Sequence, residues 1–231
     1  MSDFFKDIFT WIPFDVELGT VLIFILFSKT LTTEEVMAAV IIFVSWLMDV
    51  FSDAITFSYH PFWLLLQEHS NLWFPNYSMP IIFALYAILY FYLFRKLEIK
   101  WIVVSGFMFF LLLHVVNLLY YQGYRGTASN SLLAGQLLIG ALAFLYLRHV
   151  VETSDESPFR NFMFWFSAAT LLSNFVTAPV TSLLSWLPSN DPKVFGALYS
   201  IIGLYIGYYL SYLIIIIGLL WTRKRGILFF Q

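Results

Sequence analysis

Asp49 and Asp53 stand four residues apart in an apolar stretch, and His114 and Asn117 stand three apart in another. On a helix, both spacings put the two side chains on one face. An acid and an imidazole inside apolar segments could relay protons, bind a polar ligand or share a metal ion, because carboxylate and imidazole both suit zinc. Gln136 and Asn174 lie in two other apolar stretches, Thr177 stands three residues after Asn174, and Asn76 lies near the start of a further stretch. These eight residues, Asp49, Asp53, Asn76, His114, Asn117, Gln136, Asn174 and Thr177, form the candidate ligand-binding or relay set.

Depth brings them together. At about 1.5 Å per helical residue, Asp49 lies some 20 Å from the start of its stretch, in the outer half of a ~30 Å hydrocarbon core. His114, Asn174 and Gln136 reach nearly the same level, and Asp53, Asn117, Thr177 and Asn76 come above it. A buried aspartate needs a partner, and His114 is the best match by depth. The inner halves carry only Ser45, Ser105, Ser167, Thr170, Ser211 and tyrosines. That pattern predicts an outward-facing polar cavity with an apolar floor.

The elements that must hold these residues are membrane spans. Hydrophobic residues make up 61% of the 231 positions and charged residues 11%, less than half the charge of ordinary soluble domains. Lipid accounts for this and a protein core does not. The chain reads as all-α, a single domain over 1–231 forming a polytopic transmembrane helix bundle. Seven spans are expected near 14–30, 36–58, 73–94, 101–121, 130–147, 161–186 and 194–221. The first is short, with Asp15 and Glu17 at its mouth; as an interfacial helix it would leave six spans.

Nine of the twelve basic residues gather on one side: Lys29, Arg95, Lys96, Lys100, Arg148, Arg160, Arg223, Lys224 and Arg225. By the positive-inside rule the amino terminus lies outside and the carboxyl terminus inside. Thr32 and Glu35 have the spacing of a capping box before the second span. Gly203, Gly207 and Ser211 recur every fourth residue in the seventh, a spacing that lets helices pack closely within the bundle or in a homodimer. Pro179 should bend the sixth. The segment from His60 to Trp73 suits an interfacial helix or a lid.

Several chemistries are disfavoured. The chain has no cysteine, so thiolate metal sites and disulfides are out. No metalloprotease, nucleotide-binding or serine-hydrolase motif appears. No lysine lies inside the last span, which removes a retinal pigment. No basic face invites nucleic acid. No cofactor is called for.

The stretch Asn71 to Phe83 (NLWFPNYSMPIIF) resembles part of an uncharacterised group of small seven-helix bacterial membrane proteins. Asp49, Asn71, Leu72, Trp73 and Phe83 fit its pattern, whereas Asn76 and Ile82 stand where that group often has a histidine and an acid. The resemblance implies a sensor-like module in a bacterial cytoplasmic membrane. The leading expectation is therefore a non-enzymatic sensor or assembly subunit that binds a small ligand or a partner's segment in its outer half. Its partners would be the lipid bilayer and a membrane protein or second copy of the chain. A solute or proton-coupled transporter is the alternative, and an intramembrane hydrolase a third.

Overall fold

Transmembrane backbone must satisfy its own hydrogen bonds, so the apolar stretches form helices. The computed structural model describes residues 16–56, 74–121, 129–154, 156–183 and 207–228, except for some side chains near the ends of three helices. These residues form an all-α bundle of seven helices. They are α1 (Val16–Leu26), α2 (Thr33–Thr56), α3 (Pro75–Leu93), α4 (Lys100–Val116), α5 (Ser129–Thr153), α6 (Phe162–Leu183) and α7 (Ser211–Leu228). A π turn, Asn117–Tyr121, extends α4.

Four segments are long and apolar enough to cross a membrane: Thr33–Ser52, Pro75–Leu93, Lys100–Tyr121 and Ser129–Thr153. Val16–Leu26 and Gly207–Arg223 are apolar but shorter. Large apolar side chains face outward all round the bundle. Examples are Leu26 on α1, Phe43 on α2, Ile88 on α3, Phe109 on α4, Phe144 on α5, Phe175 on α6 and Leu213 on α7. Water would penalise such a surface, and lipid tails would not. The protein is a multi-pass helical membrane protein.

Local signals set the helix starts. The Thr32 amide donates to Glu35 Oε2 at 2.7 Å and the Glu35 amide donates to Thr32 Oγ1 at 3.4 Å. That is the reciprocal capping box anticipated for α2. Pro75 begins α3, where its missing N–H costs nothing. α5 runs to Thr153, beyond the expected residue 147, and its last turn carries the Arg148–Glu152 pair at 2.7 Å.

α3, α5 and α6 form the centre. α6 packs most extensively on α5 and then on α7, and α3 touches α2, α4 and α5. α1 closes against α6 through an edge-to-face contact of Phe24 with Phe162. Glycines permit the closest approaches. A methyl at Gly135 on α5 would overlap the Phe83 and Phe110 rings, and one at Gly218 on α7 would overlap Trp165 on α6. At the end of the bundle where most basic residues lie, Arg223 of α7 pairs with Glu35 and donates to the Thr30 carbonyl at 2.8 Å. This basic end is thus latched across α2, α7 and the α1–α2 turn.

Candidate functional site

α3 contains a proline at position 80. Proline has no amide hydrogen, so the carbonyl one helical turn earlier, that of Asn76, loses its ordinary donor. His114 of α4 supplies one: Nε2 lies 2.8 Å from the Asn76 carbonyl. Its other nitrogen, Nδ1, lies 2.8 Å from Ser131 Oγ on α5. Ser131 Oγ in turn accepts from Asn117 Nδ2 at 3.2 Å. One assignment satisfies the whole chain. Asn117 donates to Ser131, Ser131 to Nδ1, and Nε2–H to the carbonyl. The imidazole is then neutral with a fixed tautomer. It also stacks on Phe110, whose ring meets Phe83 edge to face. His114 is therefore a bolt joining α3, α4 and α5, and it is only 5% exposed.

A second group ties α5 to α6. Gln136 Nε2 donates to Thr177 Oγ1 at 3.3 Å. Asn174 bonds back to its own helix, donating to the Thr170 carbonyl at 2.8 Å. Gly140 lies against the Asn174 and Phe175 side chains, bringing the helices close.

The third group contains Asp49, and its partner is an acid. Glu17 of α1 is 1% exposed; its carboxyl accepts from the Tyr212 hydroxyl of α7 and lies within electrostatic range of Asp49 of α2. Tyr86 of α3 and Tyr208 of α7 lie within electrostatic range of this cluster. Counted from the basic end at about 1.5 Å per residue, Glu17 and Asp49 both stand about 20 Å up and Tyr212 about 16 Å.

The depth rule thus placed residues at similar levels and paired them differently from the structure. Both nitrogens of His114 are engaged on α3 and α5, so Asp49 takes Glu17 instead. Glu17, read from sequence as lying at a span's mouth, is buried between three helices. The same depth arithmetic applied to α1 would have put it level with Asp49. Tyr212 carried no sequence signal beyond its membership of a tyrosine-rich helix. The Asp53 side chain, Gly203 and the segment from His60 to Trp73 fall outside the described residues. Gly207 and Ser211 are buried within the bundle. Among the described residues, no three His, Asp or Glu side chains are placed to share a metal ion.

No family model, curated protein or solved structure matches the chain. What the protein does must be argued from these three groups.

Proposed function

We propose that the protein is a proton-coupled membrane protein of the transporter class, in which the Glu17–Asp49 pair takes up and releases the proton. One observation carries this reading: two acids from different helices lie within electrostatic range of each other, and the more deeply buried of them, Glu17, accepts from Tyr212 of a third helix. Ionisable groups within spans are costly, and their usual roles are ion pathways and proton relays. The other two polar groups read as structural ties, since each links helices with ordinary hydrogen bonds.

The pair also has a means of moving helices. Releasing its proton would leave two negative charges in contact, a repulsion of about 4 kcal/mol at 4 Å and an effective dielectric constant near 20. A typical hydrogen bond between membrane helices contributes only about 0.6 kcal/mol. The repulsion therefore outweighs the polar ties nearby and would drive α1 from α2. The basic end stays latched by Arg223, so the motion would be a swing about that end. In this reading all seven helices cross the cytoplasmic membrane of a bacterium, with the amino terminus outside and the basic end in the cytoplasm.

The test is proton uptake into sealed proteoliposomes under a potassium diffusion potential, followed by a pH-sensitive dye. Vesicles holding the wild-type chain should take up protons, and Glu17→Gln or Asp49→Asn should abolish the signal. Equal uptake by wild type and both variants would refute the reading.

A ligand-binding sensor or assembly subunit is the second reading. Gln136 Oε1 supports it, being buried with no hydrogen-bond partner among the described residues. A ligand's donor would complete that group, and the resemblance to sensor-like modules agrees. A small molecule released from the wild-type protein in mild detergent, and absent from Gln136→Leu, would favour it; identical mass spectra would count against it.

A further inference from the structure

At the basic end, α3 and α4 are joined by the short turn from Phe94 to Ile99. Its apolar residues face inward. Phe94 is fully buried, with its ring stacked on Tyr90 and set edge-on to Tyr146. Leu97 and Ile99 pack against the same core. Arg95, Lys96 and Glu98 are exposed, and Lys100 follows as the first residue of α4. Backbone bonds hold the turn tight. The Arg95 amide donates to the Tyr92 carbonyl at 3.2 Å, the Leu97 amide to Phe94 at 2.8 Å and the Lys100 amide to Leu97 at 3.3 Å. Three cations and one acid are thus displayed on an anchored platform.

These cations differ from the arginines elsewhere at that end. Arg148 is paired with Glu152, Arg160 with Glu156 and Arg223 with Glu35. Among the described residues, Arg95, Lys96 and Lys100 pair with no acid. Lys29 also lacks one, but it stands singly between α1 and α2. Two cations of the turn lean on aromatic rings instead. The Arg95 guanidinium carbon lies 3.9 Å from the centre of the Tyr92 ring, and Lys100 Nζ lies 5.8 Å from that of Trp101. A ring face attracts a cation without neutralising it, and a stacked guanidinium keeps its N–H edge for a phosphate. From the cations a stripe of exposed residues runs along α4: Trp101, Ser105, Met108, Phe109 and Leu112. Their spacing puts them on one helix face. The stripe is about 17 Å long, close to one leaflet of a ~30 Å core. Trp101, at its head, is 63% exposed, as suits a tryptophan at the membrane interface.

We propose that the α3–α4 turn is a binding site for an anionic phospholipid, with Arg95, Lys96 and Lys100 on the headgroup phosphate and the acyl chains along the Trp101–Leu112 face of α4. Acyl chains need only an apolar face, and such faces surround the bundle. The unpaired cations are what this place adds. A zwitterionic lipid brings its own cation to the turn and an anionic lipid does not, so the turn selects by charge. Three cations less the one acid, Glu98, leave a net +2. Each cation near an anionic lipid surface is worth about a fivefold gain in association, so +2 amounts to about 25-fold at low ionic strength. An acidic segment of a partner protein would match the charge and leave the apolar stripe unused; a lipid uses both. The site is separate from the Glu17–Asp49 pair and does not depend on it.

Trp101 reports on the site directly. The full-length protein is reconstituted in phosphatidylcholine, with part of the lipid replaced by brominated phosphatidylglycerol or, separately, by brominated phosphatidylcholine. Bromine quenches a tryptophan it touches, and subtracting the same curves for Trp101→Phe isolates the Trp101 signal. At low ionic strength the wild type should prefer phosphatidylglycerol at Trp101 by at least about fivefold. The triple variant Arg95→Gln, Lys96→Gln, Lys100→Gln should bring the ratio close to unity. Where it does not fold, Arg95→Gln and Lys96→Gln singly should each lower the ratio by about two- to fivefold. The double variant Arg148→Gln, Arg160→Gln should leave it nearly unchanged. A wild-type ratio close to unity would overturn the lipid site. So would an equal loss in the triple and double variants, which would show general surface charge at work. Inorganic phosphate added at constant ionic strength should not alter the wild-type ratio. Loss of the preference on its addition would assign the turn to free phosphate and overturn the lipid as occupant.

Discussion

Pro80 and His114 are 34 positions apart in sequence and should be energetically coupled through one carbonyl. Replacing His114 with Leu removes the donor to the Asn76 carbonyl and the acceptor of the Ser131 hydroxyl. A buried polar group left unsatisfied costs about 1–3 kcal/mol. Hydrogen bonds between membrane helices measure about 0.6 kcal/mol on average and about 1.7 at most. Two groups at about 1 kcal/mol each give about 2 kcal/mol for His114→Leu in the natural chain. In a Pro80→Ala chain, residue 80 regains an amide hydrogen and can serve the Asn76 carbonyl itself. His114→Leu should then cost only the Ser131 half, about 1 kcal/mol. The double-mutant cycle should therefore show coupling of about 1 kcal/mol. Whatever Pro80→Ala does alone by straightening α3 cancels in the cycle. Reversible unfolding in mixed dodecyl sulfate and mild-detergent micelles, read by far-ultraviolet circular dichroism, measures all four chains. Additivity to within about 0.3 kcal/mol would mean that His114 does not answer the carbonyl freed by Pro80, and the bolt would lose its basis.

Two further outcomes can be checked on the same unfolding assay. Alanine at Gly218 or Gly135 should destabilise by about 1–3 kcal/mol, because the new methyl meets Trp165 near its backbone or the Phe83 and Phe110 rings. Alanine at Gly19 meets nothing within 4 Å and should be neutral or stabilising by up to about 1 kcal/mol; a reversed ranking would contradict the packing of α7 on α6. At the basic end, Glu35→Ala removes the capping box and the partner of Arg223. It should cost about 2 kcal/mol, about half from the cap. Glu152→Ala and Glu156→Ala break only exposed pairs and should leave the midpoint nearly unchanged. Equal effects from all three acids would show that the latch adds nothing to the bundle.

The helices were legible because lipid enforces a simple rule: apolar runs of sufficient length, with backbone satisfied internally. The capping box of Thr32 and Glu35 was legible for a similar reason, since its donors and acceptors lie within one turn. The pairing of polar residues was not. Depth along a helix is one coordinate, and by counting residues it sets Asp49 and His114 level. Contact also needs the neighbour order of the helices and the direction each face points, and sequence gives neither. α2 and α4 both pack on α3, and His114 spends its nitrogens on α3 and α5. A proline could have warned of this. Pro80 leaves the Asn76 carbonyl wanting a donor at a depth His114 reaches, so a structural use for the imidazole was written in the chain. Once that demand is met, Asp49 must find another neighbour, and the acid at its level is Glu17. The same reasoning changes the meaning of the inner half. Seen as isolated letters, Ser167, Thr170 and the tyrosines look like packing. Set on α3 and α6 facing each other, Tyr90 and Ser167 become a hydrogen-bonded tie between two central helices.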